Sequence, residues 1–313
     1  MKISEALKAT LKFVIFGPNI KKNVFTLVAA FLTLAILGYL VFSQWDLLYS
    51  YPWSIQPVAL GFAFLVYSVI LLLNTLTWTK IMQTLGSKVD WLTHFRSTCL
   101  SALGKRLPGT FWYVLWRVQI YKDDTSGKLV AFASAIEMAI TVIGAILVCC
   151  VYALPLISRL QYSFIGFIIV FLVSITVVHP RVMRWFLKKL KVETVEIKYS
   201  KLVQWTALYI VIWHLVGLLL FAIGRIFSEI PLSHLGYFIG SVALTGVLSR
   251  LLLFSPSVFG FGEVSLSLLL SSILPSALAV IIAVSNRLII IVFEITWSLI
   301  SLGLNRFDKS QPK

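Results

Sequence analysis

The sequence predicts an all-α fold, a bundle of helices that crosses a membrane several times. Three observations predict it. Apolar residues make up 59% of the 313 and charged residues only 12%, more apolar surface than a water-soluble core of this length can enclose. The apolar residues are gathered into runs of roughly 20, the length that a helix rising about 1.5 Å per residue needs to cross about 30 Å of hydrocarbon. The 27 Lys and Arg fall mainly between those runs, where topology-setting charges are placed.

Taken in chain order, residues 1–23 form a basic segment. It does not read as a cleavable leader, because the apolar run that follows ends in Val41-Phe42-Ser43-Gln44-Trp45 without a small-x-small site. Six runs read as spans: Val24–Phe42, Pro57–Trp78, Leu129–Leu154, Ser163–His179, Leu202–Ile223 and Ala277–Leu304. Two more apolar stretches are interrupted. Trp91–Tyr121 is broken by Lys105-Arg106-Leu107-Pro108-Gly109, and Leu235–Leu274 is broken by the run from Ser255 to Gly262. Each is expected to form a re-entrant hairpin, since irregular backbone at membrane depth needs protein or water around it. The alternative counts Leu235–Leu253 and Val264–Leu274 as two spans, giving eight with the same termini.

With six spans, 23 of the 27 basic residues fall on one side, which makes both termini cytoplasmic by the positive-inside rule. The expected organisation is a basic N-terminal segment (1–23), one transmembrane domain (24–304) and a cytoplasmic tail (305–313), in a cell (inner or plasma) membrane. The same accounting explains the net charge of +15 without nucleic acid. Basic clusters such as Arg181 to Lys191 face anionic lipid head groups instead. Trp53, Trp78 and Tyr162 lie near span ends and are expected to act as interfacial anchors.

Span–hairpin–span occurs twice, over about 57–154 and 202–304, and the two units enter the membrane from opposite sides. That is the plan of an inverted repeat. Polar landmarks correspond: Pro108, Arg117 and Glu137 in the first unit, Pro256, Glu263 and Arg287 in the second, with 20 and 24 residues between the charges.

Gly104-Lys105-Arg106-Leu107-Pro108-Gly109-Thr110-Phe111-Trp112, followed by Arg117 and Glu137, resembles the flippase-like family named for the transmembrane region of lysylphosphatidylglycerol synthases. Pro256, Gly260, Gly262, Glu263 and then Arg287 form a matching element in the second half. The resemblance runs from about residue 20 to 304. It departs where many relatives have Glu-Arg-x-x-Asp and this chain has Glu137-Met138-Ala139-Ile140-Thr141, and where Ser257 and Val258 stand in place of an expected glycine. It implies movement of a phospholipid or a polyprenyl-phosphate-linked glycan between leaflets. A second implication is a membrane subunit that presents a lipid to a separate transferase. The aminoacyl transfer of the synthases is not expected, because their soluble catalytic domain has no counterpart in the nine residues after Leu304.

The candidate substrate-binding residues are Lys105, Arg106, Arg117, Glu137, Glu263, Arg287 and Glu294. A guanidinium matches a phosphate in two parallel hydrogen bonds, so Arg117 is read as a phosphate ligand or, alternatively, as the partner of an acid. Glu137 and Arg287 lie well inside apolar runs, where an ionisable side chain costs about 2.5–3.5 kcal/mol and needs a partner or a watery cavity. Glu294 follows Arg287 by seven residues and shares its helix face. Pro108, Gly109, Pro256, Gly260 and Gly262 mark the hairpin turns and close backbone approaches. Cys99, Cys149 and Cys150, His179 and His214, and the Asp123-Asp124 pair have no ligand or nucleophile spacing. No catalytic residue, metal site or cofactor is expected.

Overall fold

The computed structural model describes residues 42, 49, 56–105, 111–152, 197–251 and 258–308. The expected spans Val24–Phe42 (apart from Phe42) and Ser163–His179, the N-terminal segment, and Arg106, Pro108, Gly109, Pro256, Trp53, Tyr162 and His179 lie outside these residues. The described residues contain helices and short connections and no strand.

The helices are α1 (Pro57–Thr84), α2 (Trp91–Gly104), α3 (Phe111–Ile120), α4 (Gly127–Tyr152), α5 (Tyr199–Phe227), α6 (Leu235–Leu251), α7 (Val258–Leu270) and α8 (Ser276–Asp308). Among the described residues, five helical segments are long and apolar enough to cross a bilayer: Pro57–Thr84, Gly127–Tyr152, Tyr199–Phe227, Leu232–Ser249 and Ser276–Leu304. The protein is therefore a multi-pass membrane protein built as a helical bundle.

The two broken stretches differ. α2 has 14 residues and α3 has 10, so neither arm reaches across about 30 Å of hydrocarbon. In the second stretch α7 is equally short at 13 residues, but α6 and the turn before it supply the 18-residue segment that is long enough. The resemblance between the stretches thus lies in their second arms.

Local sequence sets the helix ends. Pro57 occupies the first turn of α1, where its missing N–H would have no partner in any case. At the other end Gly86 takes φ +91°. Its N–H donates to the Gln83 carbonyl at 3.0 Å and the Ser87 N–H to the Met82 carbonyl at 3.0 Å, a Schellman closure that favours glycine. Asp90 then caps α2, accepting from the Thr93 N–H at 2.9 Å and from its hydroxyl at 2.7 Å. Along α1 the hydroxyls of Thr75, Thr77 and Thr79 each donate to the carbonyl four residues back, which removes the cost of polar groups in an apolar helix.

Packing between the units is reciprocal. α1 and α5, the first helices of the two units, pack on each other; α2 packs on α8, and α6 packs on α4. Each unit therefore lays the first arm of its broken stretch against the closing helix of the other. α5 contributes to all three clusters of buried apolar side chains and is the axis of the bundle. Glycines permit its close contacts: a Cβ at Gly144 of α4 would stand 2.9 Å from Tyr209 Cβ on α5, and one at Gly217 of α5 would stand 2.6 Å from Ile239 Cα on α6.

Gly217→Val is expected to force α5 and α6 apart and to cost at least about 1–3 kcal/mol, read as a lower melting temperature in detergent. Gly61→Ala, at a position with nothing within 4 Å of the new methyl, is the control. It is expected to match or raise the melting temperature, because alanine favours the helix by up to about 1 kcal/mol.

Candidate functional site

Tyr113 and Arg117 lie four residues apart on one face of α3, and Tyr121, four further on, follows directly after the helix, its N–H on the Arg117 carbonyl at 3.1 Å. That face meets α1, α2 and α4. Arg117 is 1% exposed and Glu137 4%, and their side chains pair at 2.5 Å through Nη1 and Oε2, with Nη2 at 3.4 Å from Oε1. Two phenols complete the carboxylate. Tyr113 donates to Oε2, and Tyr209, from α5, donates to Oε1 at 2.9 Å. Each Glu137 oxygen thus takes a guanidinium N–H and a phenolic O–H, as a buried carboxylate requires.

The arginine is held as completely as the acid. Its guanidinium carbon lies 3.6 Å from the centre of the Trp78 ring and 4.3 Å from that of Tyr113, so an aromatic face meets the cation from each of α1 and α3. Its Nε donates to Ser101 on α2 at 3.3 Å. Trp78 in turn donates Nε1–H to the Tyr121 hydroxyl at 2.8 Å. Five helices converge on this one ion pair.

Trp78 corrects an expectation. It is fully buried and anchors no interface, because α1 continues to Thr84 and leaves the indole well short of the helix end. For Arg117 the geometry shows the second of the two readings, pairing with an acid.

The second pair repeats the plan with the signs exchanged. Glu263 on α7 meets Arg287 on α8 at 2.6 Å. In the first unit the second short arm carries the cation and the following long helix the anion; in the second unit the arm carries the anion. The 20- and 24-residue separations seen in the sequence are the two ion pairs themselves. Their surroundings differ. The Arg287 and Glu263 side chains are 25% and 12% exposed, against 1% and 6% for Arg117 and Glu137.

The remaining candidates scatter. Glu294 is buried on α8, two turns beyond Arg287. Lys105 is exposed, with its ammonium 4.7 Å from the Tyr113 ring. Gly260 takes φ +84°, a conformation in which a Cβ is strained. A Cβ at Gly262 would meet Ser249 Oγ at 3.5 Å, an ordinary contact, so packing alone does not demand glycine there. Cys99 and Cys149 are buried thiols and Cys150 is half-buried. His214 bonds the Ile210 carbonyl of its own helix through Nδ1 at 2.8 Å, and Asp123 and Asp124 lie exposed in a turn. Among the described residues no group of acids, histidines or cysteines could hold a metal ion.

The sequence reading missed Trp78, Ser101, Tyr113 and Tyr209. Tyr113 had a signal, its spacing of four from Arg117. Tyr209 had none, since 72 residues separate it from Glu137.

Glu137→Ala is expected to destabilise the protein by about 3–5 kcal/mol, because it leaves a buried guanidinium unpaired. Tyr209→Phe removes one hydrogen bond to a charged acceptor and is expected to cost about 1.5–3 kcal/mol. Melting curves of the two variants in detergent would check the order.

No family model matches this sequence, and no curated protein matches it.

Proposed function

We propose that this protein moves a lipid with an anionic, phosphate-bearing head group, a phospholipid or a polyprenyl-phosphate-linked glycan, between the leaflets of a cell membrane, with both termini in the cytoplasm. The unequal exposure of the two ion pairs carries this reading. Arg117 is sealed by Glu137, Trp78 and Tyr113 and anchors the bundle. Arg287 is a quarter exposed and stands at the edge of a lipid-facing surface, since Leu288, Val292, Ile295 and Leu299 of the same helix are all exposed. A head group entering there displaces Glu263 from the guanidinium. A phosphate is the ligand best suited to do so, because it offers the same fork of oxygens as the carboxylate with more charge. The acyl or prenyl tail meanwhile stays in the surrounding lipid along the apolar face of α8.

The sequence pattern supports the path. Two interrupted stretches of opposite orientation bring polar groups towards mid-membrane, as transporters built from inverted repeats do. Lys105, exposed beside the first interruption, gathers anionic head groups at the cytoplasmic surface. The driving force is then the gradient of the lipid itself or of an ion.

Purified protein in liposomes carrying a labelled anionic lipid is expected to speed leaflet exchange without any added partner. Arg287→Gln should reduce that rate at least about tenfold, since it removes charge-assisted hydrogen bonds of about 1.5–3 kcal/mol, and Arg287→Lys should retain part of it. Absence of exchange by the wild type would overturn the proposal. Turnover of the lipid to a covalent product would mark a transferase instead.

A further inference from the structure

A carboxylate displaced from Arg287 needs new donors, because a charge inside the bundle is costly unless it is hydrogen-bonded. The seam between α6 and α7 supplies them. The two helices run antiparallel beside each other: the Tyr237 hydroxyl, near the start of α6, donates to the Leu269 carbonyl, near the end of α7, at 2.9 Å. Further along the seam Gly262 of α7 faces Thr245 and Ser249, which lie one turn apart on α6.

Gly262 leaves room that packing does not require. It lies inside α7 without a positive φ, and a Cβ there would stand 3.5 Å from Ser249 Oγ and 3.9 Å from Thr245 Cγ2. Both are ordinary contacts, so alanine fits, and glycine keeps a methyl-sized space between the helices. The neighbouring hydroxyl is unusual too. Thr245 is 8% exposed, and its Oγ1 is buried with no hydrogen-bond partner among the described residues. Thr75, Thr77, Thr79, Ser134 and Thr206 all donate to the carbonyl four residues back. Thr245 does not, although an unused buried donor costs stability.

Glu263 follows Gly262 directly and projects about 100° further round α7. There it accepts from Arg287 through Oε1 at 2.6 Å. Rotation about its side-chain torsions carries the carboxylate from the α8 side of the helix to the α6 side, where the space beside Gly262 lies.

We propose that this space is a second seat for Glu263, and that Thr245 and Ser249 are the positioning residues that hold the carboxylate there while a phosphate occupies Arg287. The inference rests on the lipid-transport reading above. As the head group takes the guanidinium, Glu263 swings to α6 and accepts from the two hydroxyls. Its return to Arg287 expels the phosphate and completes a passage. Hydroxyls suit this task because they are neutral donors. They hold a released carboxylate, yet they lose it to a guanidinium, whose charge-assisted bonds are about twice as strong, once the head group has gone. No covalent bond changes and no proton is transferred.

Melting in detergent tests the seat without any lipid. In the wild type, Thr245→Val removes a hydroxyl that has no partner, so the melting temperature should stay the same or rise. In an Arg287→Gln background Glu263 has lost its guanidinium and takes the seat, so Thr245→Val should lower the melting temperature. An equal effect in both backgrounds would overturn the proposal. Liposomes carrying a labelled anionic lipid test its use. Thr245→Val should slow exchange at least about tenfold, the cost of one hydrogen bond to a charged acceptor, while Thr245→Ser keeps most of the rate. Gly262→Ala should also slow exchange without lowering the melting temperature, because its methyl fills the seat. Ser241→Ala deletes another buried, unpartnered hydroxyl of α6, one turn away from the seat, and should exchange like the wild type. Wild-type rates in Thr245→Val and Gly262→Ala would overturn the proposal, and they decide it should Arg287→Gln fail to fold. A wild type that exchanges no lipid would strike the transport reading instead, and the change of sign in melting would still decide whether the seat exists.

Discussion

The carboxylate of Glu137 is the constraint around which the rest of the structure is arranged. An ionised acid that far inside an apolar helix is tolerated only when every oxygen lone pair finds a donor. The chain meets that demand with groups from two other elements: the guanidinium and the Tyr113 phenol from α3 and the Tyr209 phenol from α5. Satisfying Glu137 then creates the need to satisfy Arg117, which draws in the Trp78 ring from α1 and Ser101 from α2. One buried charge thereby fixes the relative positions of five helices. Apolar packing, which is weakly directional, could not do this in a membrane, where lipid tails compete equally for the same surfaces.

This chain of demands also explains why the two short arms α2 and α3 sit within the bundle at all. Neither can cross a bilayer, and their exposed ends would carry unpaired backbone groups in hydrocarbon. They are held by polar contacts at specific points and by the packing of α2 on α8 and of α3 on α4. The second unit uses the same plan with a lighter hold: α7 is tied to α8 by Glu263 and Arg287, and that pair stays partly open. The bundle therefore holds one ion pair sealed in its interior and one that can be reached from outside.

Much of this was legible in the sequence, and the rest was hidden for physical reasons. Run lengths located the long helices, because crossing a bilayer imposes a minimum length whatever the partners. The charges at 20 and 24 residues were visible because ionisable residues are rare in apolar runs, and each proved to mark one end of an ion pair. The aromatic members of the site carried no comparable signal. With 10 Trp and 11 Tyr in the chain, a phenol that donates to a buried carboxylate looks the same as one at a membrane surface. Trp78 was misplaced for that reason. The asymmetry between the pairs was invisible as well, since exposure depends on how helices distant in sequence close over a site.

The surroundings of the first pair give it a polarity that its formal charges do not. Aromatic faces flank position 117 and phenolic hydroxyls point at position 137, so the pocket distinguishes a cation from an anion at each end. Exchanging the two residues would conserve net charge, volume and pairing, yet it would set a carboxylate against two π-faces and give up two phenolic O–H bonds to a charged acceptor. The socket therefore works as a key for the orientation of α3 against α4. A helix docked with an acid at position 117 sets that acid against the faces of the Trp78 and Tyr113 rings, so the reversed pairing is disfavoured.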